Sequence, residues 1–106
     1  MSFNLDVVYR GSIPIVIVRG DVDLDTAPIL HACLSRLVSS GNHELAVDLS
    51  ECSYIDSEGL KVLIGIFRLT GGRITITGAK GYLPRIFHLS GIDQLFRILP
   101  SINDLG

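Results

Sequence analysis

Leu45-Ala46-Val47-Asp48-Leu49 reads as a strand, and Asp56-Ser57-Glu58-Gly59-Leu60 opens a helix shortly after it. The first stretch is a near-continuous apolar run of strand length. The second begins with residues that favour helix starts and leads into Leu60, Leu63, Ile64 and Phe67, which recur at helical spacing. Ser50 to Ile55 connects the two. The helix is predicted from about Glu58 to Thr70, with Ser57 as its cap, and Gly71-Gly72 stops it. A strand that feeds a helix is half of a parallel crossover unit, and this decides the fold class.

Upstream, Leu5 to Tyr9 and Ile13 to Val18 are strand candidates on either side of a Gly11-Ser12 turn, which makes a hairpin. Pro14 belongs at a strand start or on an edge, because it has no N–H for a ladder. Gly20-Asp21-Val22-Asp23 breaks the second strand. A helix capped by Asp25 or Thr26 then runs to about Ser39, with Pro28 in its first turn and Leu30, Leu34, Leu37 and Val38 on one face. Gly41-Asn42 ends it.

His43 to Leu49 is the next strand. Downstream, Arg73 to Thr77 is a strand of alternating character and Leu83 to Leu89 a short helix closed by Ser90-Gly91. Ile92 to Leu99 holds a last helical turn and a short strand. The order predicts an α/β fold: a mixed β-sheet with an N-terminal hairpin, then alternating strands and helices packed on one or both faces. The loops at the strand ends gather on one rim, where open α/β sheets meet ligands and partners.

Composition narrows the function. The chain has 106 residues, 47% of them hydrophobic and 19% charged, with a net charge of -2. That fits one folded domain, residues 1–106, with no basic footprint for nucleic acid or an anionic membrane. No stretch has the apolar length of a membrane span, and the N-terminus lacks a signal-peptide layout, so a cytoplasmic location is expected. Cys33 and Cys52 are too few for a disulfide framework or a Cys-only zinc site, and each reads as a buried or half-buried thiol. No cofactor or metal is expected.

The chemistry concentrates at Ser57. As a cap, its side chain accepts an early backbone N–H. As a modification site, a phosphate there would add about -1.5 to -2 charges. The free N–H groups of a helix start suit an anion, and the helix end favours the charge by about 0.3–1 kcal/mol. The fold should survive such a change, while a partner meeting Asp56, Glu58 and a phosphate would face added repulsion. Gly59 removes a side chain from the first turn and is expected to let a partner approach the backbone. Val62, Ile66 and Leu69 form a second apolar stripe, either covered by neighbouring helices or offered to a partner.

Val47-Asp48-Leu49-Ser50 followed by Tyr54-Ile55-Asp56-Ser57-Glu58-Gly59-Leu60 resembles the STAS domain, in its stand-alone bacterial form, the anti-sigma factor antagonist. Gly20-Asp21-Val22-Asp23 resembles that family's acidic element after the second strand. Arg85-Ile86-Phe87 and Leu89-Ser90-Gly91-Ile92 resemble its late helix and turn. The segments occur in family order over nearly the whole chain, which implies a STAS-type mixed sheet.

The resemblance implies a mechanism. Ser57 maps onto the serine phosphorylated by a partner anti-sigma factor that is also a serine kinase. The unmodified antagonist binds that kinase and frees a sigma factor; the phosphorylated form is released, and a phosphoserine phosphatase resets it. Asp21, Asp23 and Thr26 map onto the binding rim, and Asp56, Glu58, Gly59, Leu60 and Lys61 onto the contact loop and first helical turn. Glu58 departs from the pattern, since that position is often Ser or Thr. The free protein is expected to be a monomer without contacts to nucleic acid or membrane.

Two other classes compete. An enzyme would need His31, His43 or His88 to reach Ser57, and no nucleophile elbow, P-loop or dinucleotide fingerprint is present, so no catalytic residues are assigned. A STAS-like docking subunit of a membrane lipid-transport ATPase complex, not phosphorylated, is the alternative binding module. A hydroxyl at Ser57 would be dispensable for docking alone.

Overall fold

The amino-terminal hairpin turns on Gly11-Ser12, with Gly11 at a φ of 60° and Ser12 at a negative φ, a type II′ turn that matches strand twist. A computed structural model describes residues 2–105. Strand β1 (Asn4–Arg10) pairs antiparallel with β2 (Ile13–Arg19), from Asn4 opposite Arg19 to Arg10 opposite Ile13. Pro14 is the second residue of β2. Pairing with the next strand starts only at Ile15, so the missing N–H of Pro14 interrupts no ladder on that side.

From β2 the chain passes through α1 (Ala27–Ser39), β3 (Leu45–Glu51), α2 (Ser57–Leu69), β4 (Ile74–Thr77), α3 (Leu83–Ser90), α4 (Ile92–Leu95) and β5 (Arg97–Leu99). The sheet order is β1-β2-β3-β4-β5, with every pair after the hairpin parallel. Each crossover moves one strand along in the same direction. The right-handed sense of such crossovers then places all the helices on one face.

That face holds the main core. Val16 and Val18 of β2, Leu45, Val47 and Leu49 of β3, and Ile74 and Ile76 of β4 meet Leu30 and Leu34 of α1, Leu63 and Ile66 of α2, and Leu83 and Phe87 of α3. The opposite face carries Ile15, Ile17, Ala46 and Leu99, covered in part by Ile102 and Leu105 of the C-terminal segment. The Arg10 side chain ties that segment down by donating from Nε to the Leu105 carbonyl at 2.9 Å. A 3-10 turn at Ile102–Asp104, absent from the sequence reading, brings Leu105 into place.

Three sequence expectations need correction here. β4 begins at Ile74 rather than Arg73; it alternates as expected, with Ile74 and Ile76 in the main core and Thr75 and Thr77 on the back of the sheet, but all four residues are buried, and Thr77 Oγ1 donates to the buried carboxylate of Asp48 at 2.7 Å. β3 begins at Leu45 rather than His43, leaving His43 and Glu44 in the preceding loop. The second apolar stripe of α2 is not continuous. Ile66 is buried and Val62 packs partly against the core, and only Leu69, at 59% exposure, is open. Leu60, Ile64 and Phe67, expected on the core face, are partly buried against the same cluster.

Candidate functional site

The parallel strands β2, β3 and β4 all end at one rim, which gathers the loops at Gly20–Thr26, Cys52–Asp56 and Gly78–Tyr82. The first two loops are zipped together. Gly20 N–H donates to the Glu51 carbonyl at 3.1 Å, Val22 N–H to Tyr54 at 3.0 Å, and Asp56 N–H to Val22 at 3.0 Å. Val22 and Ile55 form a parallel bridge, and both side chains are buried. The bridge extends the β2–β3 pairing past the strand ends, so Asp56 and Ser57 are held by backbone bonds against Asp21 and Asp23.

The start of α2 differs from expectation by one residue. Asp56, in an extended conformation, is the cap: its Oδ1 accepts from the N–H of Glu58 at 2.9 Å and of Gly59 at 3.2 Å. Ser57 is therefore the first helical residue and not the cap. Its side chain is exposed, and its hydroxyl has no hydrogen-bond partner among the described residues. The two amides that Asp56 takes are no longer free to cradle an anion. A phosphate on Ser57 would lie in solvent beside the Asp56 carboxylate.

Gly59 also has a different role from the one its sequence suggested. It is buried. A Cβ at that position would stand 2.4 Å from Ile55 Cγ2 and 2.7 Å from Val22 Cγ1. The space that glycine leaves is filled from inside by the bridge, so Gly59 fits the helix start onto the loops rather than admitting a partner. Leu60 turns partly into the core. Lys61 is exposed, and its Nζ donates to Glu58 Oε2 at 3.2 Å, one turn along the helix. That pair sets a positive charge beside the Glu58 carboxylate, at a gain of about 0.3–0.5 kcal/mol or less.

Thr26, one of the two expected candidates, stands at the cap position of α1, but its side chain bonds no helix amide. The turn leading into the helix is closed by Asp23. Its Oδ1 accepts from the N–H of Asp25 at 2.9 Å and of Thr26 at 3.1 Å, and its own N–H donates to Thr26 Oγ1 at 2.9 Å. The Thr26 hydroxyl donates to the Asp21 carbonyl at 2.8 Å. The bond from Thr26 N–H, followed by that from Asp25, holds the Asp23 carboxyl below the usual carboxylate range. Asp21, Asp23 and Thr26 thus form one turn that borders the Ser57 rim.

Several exposed side chains at this rim carry no signal in the motif reading. Leu24 is 70% exposed and Tyr82 76%. Leu24, Ala27 and Pro28 face Glu58, Lys61 and Gly65 across a groove of about 390 Å³ between α1 and α2, whose wall includes Glu58, the residue after Ser57. Large apolar residues placed in loops just after strand ends were the available clue. Of the three histidines, His31 lies near Ser35 and His88 near Asp93, at 3.0 Å from Nδ1 to Oδ2. None contacts Ser57 among the described residues. Cys52 is buried with its thiol 3.3 Å from the Tyr54 carbonyl, and burial raises the pKa of both cysteines.

Comparison with known proteins places this arrangement. The family described as "Mlab, STAS domain" matches residues 7–100. The chain belongs to the STAS domain family. Among curated proteins, this STAS domain is 31% identical over 101 residues to the anti-sigma-B factor antagonist of Bacillus subtilis (strain 168), covering 92% of each chain. It is 28% identical over 105 residues to an anti-sigma-F factor antagonist of Mycobacterium tuberculosis, covering 97% of this chain and 86% of that one. Among solved structures, an anti-sigma factor antagonist from Mycobacterium paratuberculosis superimposes with a TM-score of 0.89 at 29% identity, covering 97% of this chain and 90% of the other.

Proposed function

We propose that this STAS domain is an anti-sigma factor antagonist whose binding rim is switched by phosphorylation of Ser57. The observation that carries the reading is the Ser57 hydroxyl: exposed, unbonded among the described residues, and mounted on a helix start fixed by the Val22–Ile55 bridge. The similarity to antagonists of sigma-B and sigma-F regulators along almost the full chain supports the same reading.

In the unmodified state the rim binds an anti-sigma factor with serine kinase activity. Asp21, Asp23, Thr26, Asp56, Glu58, Leu60 and Lys61 lie at or beside the contact, with Gly59 shaping it from within. The kinase transfers the γ-phosphoryl of ATP to Ser57: the new bond joins Oγ to phosphorus, the hydroxyl proton is lost, and ADP leaves. The product carries about -1.5 to -2 further charges next to Asp56 and Glu58. Because Asp56 occupies the nearest helix amides, the phosphate is not drawn into the fold, and its charge and hydration shell stay in the contact area. A loss of about 1.4 kcal/mol weakens binding tenfold, and desolvating such a group exceeds that. A phosphoserine phosphatase restores the binding form. The cycle belongs in the cytoplasm, where sigma factors act, and the domain contributes no catalysis of its own.

Incubation with a serine-kinase anti-sigma factor and ATP, followed by mapping of the phosphate by mass spectrometry, tests the assignment. One phosphate on Ser57 in the wild type and none in Ser57→Ala is expected. Equal labelling of Ser57→Ala would overturn it. Capture of a transport ATPase in place of the kinase would favour the docking-subunit reading.

A further inference from the structure

The two edges of the sheet are built differently. β5 is three residues long and runs straight into Pro100. β1 is seven residues long, regular in its register with β2, and contains no proline or lysine. Natural edge strands are usually short, bulged, or guarded by inward charges and proline. The charges of β1 do not guard it, because both point to the back of the sheet. There Asp6 pairs with Arg19, and Arg10 is held by the Leu105 carbonyl.

The hairpin determines which backbone groups of β1 are free. A two-residue turn closes on a hydrogen-bonded pair, here Arg10 with Ile13, and such pairs then alternate along the ladder. Asn4, Asp6, Val8 and Arg10 therefore bond inward to β2. The N–H and C=O groups of Leu5, Val7 and Tyr9 point outward. The side chains of the same three residues lie on the helix side of the sheet. Leu5 and Val7 there line an apolar groove of about 590 Å³ with Pro28, Ile29 and Ala32 of α1. Val7 is 39% exposed and Tyr9 60%.

We propose that two copies of this chain pair β1 to β1, antiparallel, about a two-fold axis through Val7. Val7 then faces Val7 of the second copy, and Leu5 faces the second copy's Tyr9. All of these residues have outward backbone groups, and each such pair exchanges both N–H···O bonds. This register engages the whole strand and aligns Leu5, Val7 and Tyr9 of both copies in one apolar row, continuous with the two α1 grooves. On the back face Asp6 lies opposite the second copy's Val8, with that copy's Arg10 on one diagonal and its Asp6 on the other, so no two like charges stand directly opposite. Sliding the register by one hydrogen-bonding step to centre on Asp6 puts two aspartates directly opposite, which disfavours it. The two-fold axis makes the contact isologous and closed.

This proposal departs from the monomer expected from the sequence, because the outward backbone of an edge strand is invisible in composition. The antiparallel arrangement points the two Ser57 rims in opposite directions. Both stay open, and the pairing stands or falls independently of the phosphorylation reading.

Sedimentation velocity on the full chain over a rising concentration series tests the proposal, together with amide hydrogen exchange. Mass is expected to rise from 11.5 kDa to twice that value, with exchange slowing at Leu5, Val7 and Tyr9. Val7→Pro removes an outward N–H that the hairpin does not use. Val7→Lys sets two ammonium groups face to face and serves should the proline variant not fold. Each is expected to weaken association at least tenfold while keeping the wild-type circular dichroism. A wild type that stays at 11.5 kDa throughout, a dimer in which those three amides remain unprotected, or a Val7→Lys protein that associates as strongly as wild type would each overturn the proposal.

Discussion

Helices α1 and α2 both start beside an aspartate turn and end up with opposite chemistry. Each follows a parallel strand at the same rim, and beside each start an aspartate side chain accepts two backbone amides: Asp23 those of Asp25 and Thr26, in the turn just before α1, and Asp56 those of Glu58 and Gly59, in the first turn of α2. Each start also carries a hydroxyl residue. Thr26 is locked, accepting from Asp23 N–H and donating to the Asp21 carbonyl. Ser57 stands one residue after its aspartate, points outward, and is bonded to nothing among the described residues. One hydroxyl builds the rim and the other is displayed on it. The difference is positional: a hydroxyl three residues after the aspartate closes back on the turn, while one directly after it cannot.

The comparison breaks most readily at Gly59, which seats the α2 start on the bridge. Gly59→Ala should lower the unfolding free energy by about 1–3 kcal/mol in urea titrations, since the new methyl overlaps Ile55 and Val22. Gly65 lies in the same helix, and a Cβ there meets nothing within 4 Å. Gly65→Ala should therefore raise stability by about 0.5–1 kcal/mol, the ordinary helix-propensity gain. Equal effects from the two substitutions would remove the case for Gly59 as an internal spacer.

The two hydroxyls separate at the next level. Asp56→Ala should cost about 0.5–2 kcal/mol through loss of the cap. Thr26→Val leaves the Asp23 N–H without its acceptor in a half-buried turn and should cost about 1 kcal/mol. Ser57→Ala should change stability by less than about 0.5 kcal/mol, as for an exposed side chain without contacts. A Ser57→Ala cost as large as that of Thr26→Val would mean that the serine is structural after all.

The smallest expected effect is on acid stability. The Asp23 carboxyl is held below its ordinary value by the Thr26 and Asp25 amides. The unfolded chain therefore binds the proton first as pH falls. The contribution of Asp23 is complete above the unfolded value of about 3.9 and is lost as pH drops through the lowered folded value. Asp23→Asn should flatten the acid limb of a stability–pH curve in that window. An unchanged limb would show that the turn bonds do not favour the charged form.

Much of this was legible in the sequence. The β-branched runs at Ile13 to Val18 and Leu45 to Leu49, and the helical spacing after Leu60, gave the elements and their order. The cap of α2 was misplaced by one residue, and that of α1 left open between Asp25 and Thr26, because these residues, like Asp56 and Ser57, are all good cap residues. Only the backbone direction chooses among them. The role of Gly59 was hidden because its neighbour Val22 is far away in sequence. The C-terminal cover was missed because Ile102 and Leu105 are separated by Asn103 and Asp104 and show no periodicity.

The central claim is that phosphate on Ser57 closes the rim without disturbing the fold. Calorimetric titration of a serine-kinase anti-sigma factor with unmodified and Ser57-phosphorylated protein tests it directly, with urea unfolding of both forms alongside. The account predicts at least about tenfold weaker binding of the phosphorylated form, a difference of about 1.4 kcal/mol or more, at a matching unfolding midpoint. Equal affinities, or weaker binding accompanied by a lowered midpoint, would contradict it.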